Sequence, residues 1–198
     1  RLPFDITKAA LQMTEPEKEA SYSGAEIFVD APEVSGLLEP DTAEAYQLKY
    51  TYDTKPDEDG GEVTYDTQPG FIPVGSYAVT VTLESTNYSA DAVTTTLNIT
   101  PADQQVIFIP EAGTEWTEEQ KKITKNLGDA AFQVRAEGSL DKDAQYTYTV
   151  AQGQGTVADV NAEGLVTIRG AGEAVITASN AGTGNVNLST GSYTCLLY

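Results

Sequence analysis

Histidine is absent from these 198 residues, and cysteine, methionine and tryptophan occur once each. Without histidine there is no Ser-His-Asp or Cys-His catalytic arrangement and no histidine-ligated zinc or iron site. One cysteine, Cys195, excludes an internal disulfide. Stability must then come from adequate cores, so the lack of disulfides assigns no redox compartment. Basic residues are scarce: 11 Lys and Arg against 30 Asp and Glu give a formal charge of −19 and a pI near 4.1. That field repels phosphate backbones and anionic lipid headgroups, which argues against nucleic acid and membrane surfaces as partners. No apolar run approaches a membrane span, so no membrane insertion is expected. The start, Arg1-Leu2-Pro3-Phe4-Asp5, has neither the basic nor the apolar region of a secretory signal, and Arg1 is not an initiator Met. The sequence reads as a monomeric fragment of a multi-domain chain.

What is present is alternation. In Tyr77, Val79, Val81 and Leu83, in Tyr46, Leu48, Tyr50 and Tyr52, and in Val93, Thr95, Leu97 and Ile99, side chains repeat with the period of two of a half-buried strand. Strands are predicted at 9–13, 26–30, 46–52, 61–65, 77–84 and 92–100, then at 105–109, 131–136, 145–150, 157–160, 165–169, 174–178 and 193–197. Turn formers such as Asp59-Gly60-Gly61 and Pro69-Gly70 separate them. Closely spaced strands without helices between them argue for antiparallel sandwiches. One segment is ambiguous. Thr117-Glu118-Glu119-Gln120 fits a capping box, and Trp116, Ile123 and Leu127 fall near one helical face, so one or two helical turns over 115–122 are expected to lead into a strand at 123–125.

The length suits two sandwiches of about 100 residues each. The echo of Ile6-Thr7-Lys8-Ala9 in Ile99-Thr100-Pro101-Ala102 marks their junction. The expected fold class is all-β: two tandem immunoglobulin-like β-sandwiches, 1–101 and 102–198, joined by a short linker whose proline limits bending.

The first unit resembles an MBG-type domain, a β-sandwich repeat of large bacterial surface proteins. The resemblance rests on Ile6-Thr7-Lys8-Ala9, Tyr22-Ser23-Gly24, Gly75-Ser76-Tyr77-Ala78-Val79-Thr80-Val81, Asn87-Tyr88 and Leu97-Asn98-Ile99-Thr100. The second is similar to the bacterial immunoglobulin-like (Big) domains found in tandem in adhesins. Its matching residues are Ile123-Thr124-Lys125, Gly128-Asp129-Ala130-Ala131-Phe132, Val157-Ala158-Asp159-Val160, Gly164-Leu165-Val166-Thr167-Ile168 and 170–178, with Ser192-Tyr193-Thr194 closing. The insert Pro110 to Lys122 is longer and more acidic than such domains usually show, and Cys195 to Tyr198 lack the usual Thr alternation. The resemblance implies a non-catalytic spacer, stalk or adhesion module of a larger bacterial cell-surface or secreted protein, located outside the cell. The alternatives are a ligand-binding module for a glycan or host protein, and an accessory domain of a carbohydrate-active enzyme.

Chemistry is sparse by comparison. Cys195 alternates with Tyr193 and Leu197 and reads as a small buried hydrophobe rather than a nucleophile. Thirty acidic residues guarantee some close carboxylate pairs, but a catalytic acid needs a desolvated cleft, and these lie in polar stretches. No catalytic residue and no cofactor is expected. If calcium binds, its candidates are Asp57, Asp59 and Glu62, in an acidic glycine turn that lacks the full EF-hand spacing, or the hinge near Asp103. A hairpin tip explains the same residues. Phe71 and Trp116, flanked by loop formers, are the candidate rings for a ligand, although aromatic residues also serve as sandwich core. Lys8 and Asn98 occupy roughly the places of a Lys-Asn cross-link, but both read as solvent-facing.

Overall fold

The chain divides into two units, Arg1–Thr100 and Pro101–Tyr198, in a computed structural model that describes residues 6–54, 61–117, 119 and 121–198. Unit 1 contains β1 (Ala9–Ala10), β2 (Gln12–Met13), β3 (Glu17–Ser21), β4 (Ile27–Phe28), β5 (Val34–Ser35), β6 (Gln47–Asp53), β7 (Glu62–Tyr65), β8 (Gly70–Phe71), β9 (Gly75–Glu84), β10 (Tyr88–Ser89) and β11 (Val93–Thr100). A five-stranded sheet in the order β3-β11-β9-β6-β7 forms one layer. The short pairs β2-β5 and β4-β8 supply residues that cover its inner face. Alternation works as the pattern predicts: Val79, Val81, Leu97 and Ile99 point inward and are almost fully buried, against Val29 from the opposite layer. Each such side chain contributes about 1.5–3 kcal/mol by leaving water. Thr95 lies in the same inward row and is fully buried, its hydroxyl donating to the carbonyl of Asp30 at 2.9 Å. This bond offsets the cost of placing a hydroxyl in the core.

Unit 2 contains β12 (Val106–Pro110), β13 (Trp116–Thr117), β14 (Lys122–Lys125), β15 (Phe132–Gly138), β16 (Thr147–Val150), β17 (Ala158–Val160), β18 (Leu165–Ile168), β19 (Gly172–Asn180) and β20 (Ser189–Leu197). Its two sheets, β12-β15-β18-β17 and β13-β14-β20-β19-β16, enclose Phe108, Ile123, Phe132, Val134, Val166, Ile176 and Tyr193. The chain is all-β, and both units are sandwiches of the immunoglobulin-like kind. The β17–β18 hairpin shows how local sequence sets a turn. Asn161 accepts from the amides of Glu163 and Leu165 through its side chain, and Gly164 takes φ +82. A Cβ there would lie 2.3 Å from the Val134 carbonyl, so only glycine fits.

The helical turns expected over 115–122 are not what the described residues form. Trp116 and Thr117 are a strand, β13, paired antiparallel with β14 so that Trp116 faces Ile123. The indole packs against Phe108 and Tyr193, at centroid distances of 6.1 and 6.0 Å. Ring burial on the sandwich wins over the local capping signal, and Lys121 at φ 46 turns the chain into β14. Leu127, expected on the same face as Trp116, is 58% exposed.

In each unit the closing strand lies parallel to a strand from the opening half. β11 pairs with β3 over Thr96↔Glu17 to Thr100↔Ser21, and β20 pairs with β14 over Lys122↔Thr194 to Lys125↔Leu197. Both ladders extend at both ends. In unit 1 the Thr96 amide donates to Pro16 (3.0 Å) and the Tyr22 amide to Thr100 (2.9 Å). In unit 2 the Thr194 amide donates to Lys121 (2.8 Å) and the Leu127 amide to Tyr198 (2.6 Å).

Candidate functional site

Of the calcium candidates, Asp57 and Asp59 lie outside the described residues. Glu62 opens β7 as an exposed residue opposite Asp53. Asp103, near the start of unit 2, accepts from the Asn187 side chain at 2.8 Å. Among the described residues no group of three or more Asp, Glu, His or Cys is placed to hold a metal ion.

Phe71 and Trp116 both sit against a core. Pairing of β8 with β4 sets Phe71 opposite Ile27 and turns its ring onto Tyr77 and Tyr52, at 4.0 and 4.8 Å between centroids. The Tyr77 hydroxyl is held in turn by the Pro73 carbonyl at 2.7 Å. Trp116 and Phe108 wall one end of the unit 2 core with Tyr193. A ring that does face solvent is Phe28, 50% exposed and lying over Gly70, where a Cβ would come within 3.0 Å of it. Sequence reasoning passed over Phe28, yet the signal was present. With Ile27 and Val29 fixed inward by the core, alternation across a paired strand leaves Phe28 outside.

Cys195 is fully buried between Ile123 and Ala174 in register, and burial pushes its thiol up to about 12. At neutral pH it is a protonated, inaccessible side chain and not a nucleophile. Lys8 donates to the Ser85 carbonyl at 2.6 Å, whereas Asn98 sits in β11 between Ser76 and Glu19. The fold therefore engages the two separately, Lys8 in the segment before β1 and Asn98 within the five-stranded sheet.

The outer sheet faces carry hydroxyl groups in register. Thr94, Thr80, Thr51 and Thr64 form a row across β11, β9, β6 and β7, with the Thr51 and Thr64 hydroxyls 3.1 Å apart. In unit 2, Thr149, Thr177 and Ser192 do the same across β16, β19 and β20, with Thr177 and Ser192 at 2.9 Å. Threonine suits a pleated, half-wet surface, and such pairs add to sheet stability. Chemically the rows present paired donors and acceptors without charge, on an acidic chain.

Among the open depressions of the surface are two that gather charged and tyrosine side chains. One of about 440 Å³ in unit 1 is lined by Lys8, Leu38, Asp41, Asn87 and Tyr88. Tyr88 is itself buried, donating to Asp41 at 2.7 Å and accepting from the Leu38 amide at 3.2 Å, which ties that loop to the sandwich. Another, of about 700 Å³ in unit 2, mixes Arg135 and Lys142 with Glu137 and Glu163 around Tyr148. The Tyr148 hydroxyl accepts from the Ala136 amide at 2.8 Å, and burial pushes its pKa above the ordinary phenol value. These groups close the fold upon itself. No helix among the described residues is long and apolar enough to cross a membrane.

Comparison with known proteins places one stretch. Residues 129–182, inside unit 2, match the family described as the intimin immunoglobulin-like domain. No curated protein sequence matches the chain. Among solved structures, Drosophila N-cadherin EC1-3 aligns over 98% of this chain and 69% of its own, at 16% identity and a TM-score of 0.32. Human mucin-like protocadherin EC1-2 aligns over 94% and 96%, at 11% identity and a TM-score of 0.36. Sidekick-1 immunoglobulin domains 1-4 align over 95% and 48%, at 11% identity and a TM-score of 0.35. Residues 129–182 are thus similar to a domain of the adhesion or surface-module type, a kind that is generally non-catalytic.

Proposed function

We propose that this chain is a non-catalytic spacer or adhesion module of a larger bacterial protein, displayed at the cell surface or secreted. The observation that carries the reading is the intimin-type match at residues 129–182. Two features support it. Tyr50, Tyr88, Tyr146 and Tyr193 are buried in the two units and the threonine rows lie on sheet faces, and the acidic surface discourages self-association. In finer terms, unit 1 is an MBG-type module and unit 2 a Big-type module, each a scaffold whose job is to hold other parts of its parent in place. Antibody raised against the chain and applied to intact cells of the source organism tests the location. Labelling of unpermeabilised cells is expected, and labelling that needs lysis sinks the proposal.

A second reading, direct capture of a glycan or a host protein, is favoured by the half-exposed Phe28 ring above Gly70. Flat rings of this kind stack on sugar faces. A glycan array with the purified chain and with Phe28→Ala separates the two: signal lost in the variant supports capture, and absence of signal from both leaves the scaffold.

A further inference from the structure

We infer that each unit is a load-bearing element whose resistance to stretching is set by its parallel closing pair, β3–β11 in unit 1 and β14–β20 in unit 2. The inference stands on strand pairing and does not depend on where the parent protein resides. Tension enters a unit from its first residue side and leaves from its last. In a parallel pair, the opening strand is then drawn toward its own N-terminal end and the closing strand toward its own C-terminal end. The strands must slide past one another along their length. Every hydrogen bond of the ladder is strained at once, and the pair yields only when they fail together. An antiparallel pair pulled from one end gives way bond by bond. Each backbone bond is worth little at equilibrium, about 0.5–1.5 kcal/mol. Forced unfolding is instead governed by the unfolding rate, and loading the bonds in concert raises that barrier.

The two ladders are built alike although their sequences differ. Register runs over Glu17 to Ser21 in one and Lys122 to Lys125 in the other. Each begins with an amide of the closing strand donating back to the residue before the opening strand, Thr96 to Pro16 and Thr194 to Lys121. Each ends with an amide beyond the opening strand donating to the closing strand's end, Tyr22 to Thr100 and Leu127 to Tyr198. In unit 2 the Tyr198 amide adds a bond to Lys125 at 3.1 Å. Both opening strands are anchored independently of the ladder, β14 by the fully buried Ile123, and β3 through the Lys18 ammonium, which donates to Asp30 at 2.9 Å and to the Phe28 carbonyl at 3.0 Å.

Single-molecule stretching of the full chain tests this in two geometries. With handles at the two termini, two unfolding events are expected, each releasing on the order of 300 Å of chain. With handles at the C-terminus and at an Ala171→Cys site, force acts across one end of the antiparallel β19–β20 pair, where Gly172 faces Leu197. Ala171 is exposed and Cys195 is buried, so the attachment is selective. Unit 2 should yield at severalfold lower force in this second geometry, and equal forces overturn the inference. Leu127→Pro deletes the amide that donates to Tyr198 at an exposed position. It should weaken one of the two end-to-end events by more than it lowers the force in the second geometry, where β20 peels bond by bond and each bond is met singly. Tyr198→Pro, which removes the amide bonded to Lys125, reads the same quantity from the other strand. If neither variant lowers the end-to-end force, the ladder does not carry the load. Because this readout needs no ligand and no cell, it can fail while the surface assignment stands, and the reverse.

Discussion

Phe71 stacks on Tyr77 with ring centroids 4.0 Å apart and planes tilted by 16°. The stack joins the small β4–β8 pair to the five-stranded sheet, so the ring is part of what holds two layers of unit 1 together. Phe71→Ala should cost unit 1 about 2–3 kcal/mol, below the usual range for a fully buried phenylalanine because the ring keeps some exposure. Urea unfolding followed by tyrosine fluorescence and circular dichroism checks this. A variant as stable as the parent chain would show that the ring is free for other work.

Much of this was legible beforehand, and the boundary is instructive. Strands with strong alternation, β6, β9, β11, β15 and β19, lie within a few residues of where the pattern puts them, because one face of each has to leave water. The missed strand β3, Glu17 to Ser21, is polar at every position but Ala20, and it forms because the β11 edge pairs with it. No side-chain pattern announces that kind of pairing. Trp116 misled for the opposite reason: its local neighbours write a helix start, but its ring has a place between Phe108 and Tyr193. As for the candidate site, pattern picks out aromatic residues near turns but not which way a ring faces. That depends on the partner strand, as Phe71 opposite Ile27 and Phe28 opposite Gly70 show.

Burial pushes the Cys195 thiol up to about 12, against an ordinary value of about 8.5 in an unfolded chain. Between these values the unfolded state releases a proton that the folded state retains, so this group's contribution is present below pH ~8.5 and declines as pH rises. The stability advantage of the parent chain over Cys195→Ala should therefore shrink between about pH 8 and pH 10. A thiol reagent at pH 8 should also label the native protein only as fast as it opens. Rapid labelling without denaturant would contradict the buried placement.

On the outer face of β17 and β18, Arg169 donates to the Asp159 carboxylate at 2.6 Å, and this bond holds the carboxyl below its usual range. For a depressed carboxylate the contribution is present above the unfolded value near 3.9 and is lost as pH falls through the lower folded one. The pair is exposed, so its effect on stability is small. The titration itself is the sensitive readout: carboxyl NMR shifts of Asp159 should move to higher pH in Arg169→Gln. An unchanged midpoint would mean that the ion pair is not populated in solution.

Gly153 and Gly164 separate two reasons for a glycine. Both have positive φ, +85 and +82, but a Cβ at Gly153 meets open space whereas one at Gly164 meets the Val134 carbonyl at 2.3 Å. Gly153→Ala should cost only the left-handed penalty, about 1–2 kcal/mol. Gly164→Ala must in addition push apart β15 and the β17–β18 turn, and with them the bond from the Val134 amide to the Gly164 carbonyl at 3.1 Å. Its cost should exceed that of Gly153→Ala by at least the value of that bond, about 1 kcal/mol. Asparagine at 153 should recover part of the loss, since its side chain tolerates the left-handed region, while at 164 it should not. Equal destabilisation at the two sites in urea would mean that β15 yields easily, and that the β17–β18 hairpin packs less tightly on unit 2 than the 2.3 Å approach requires.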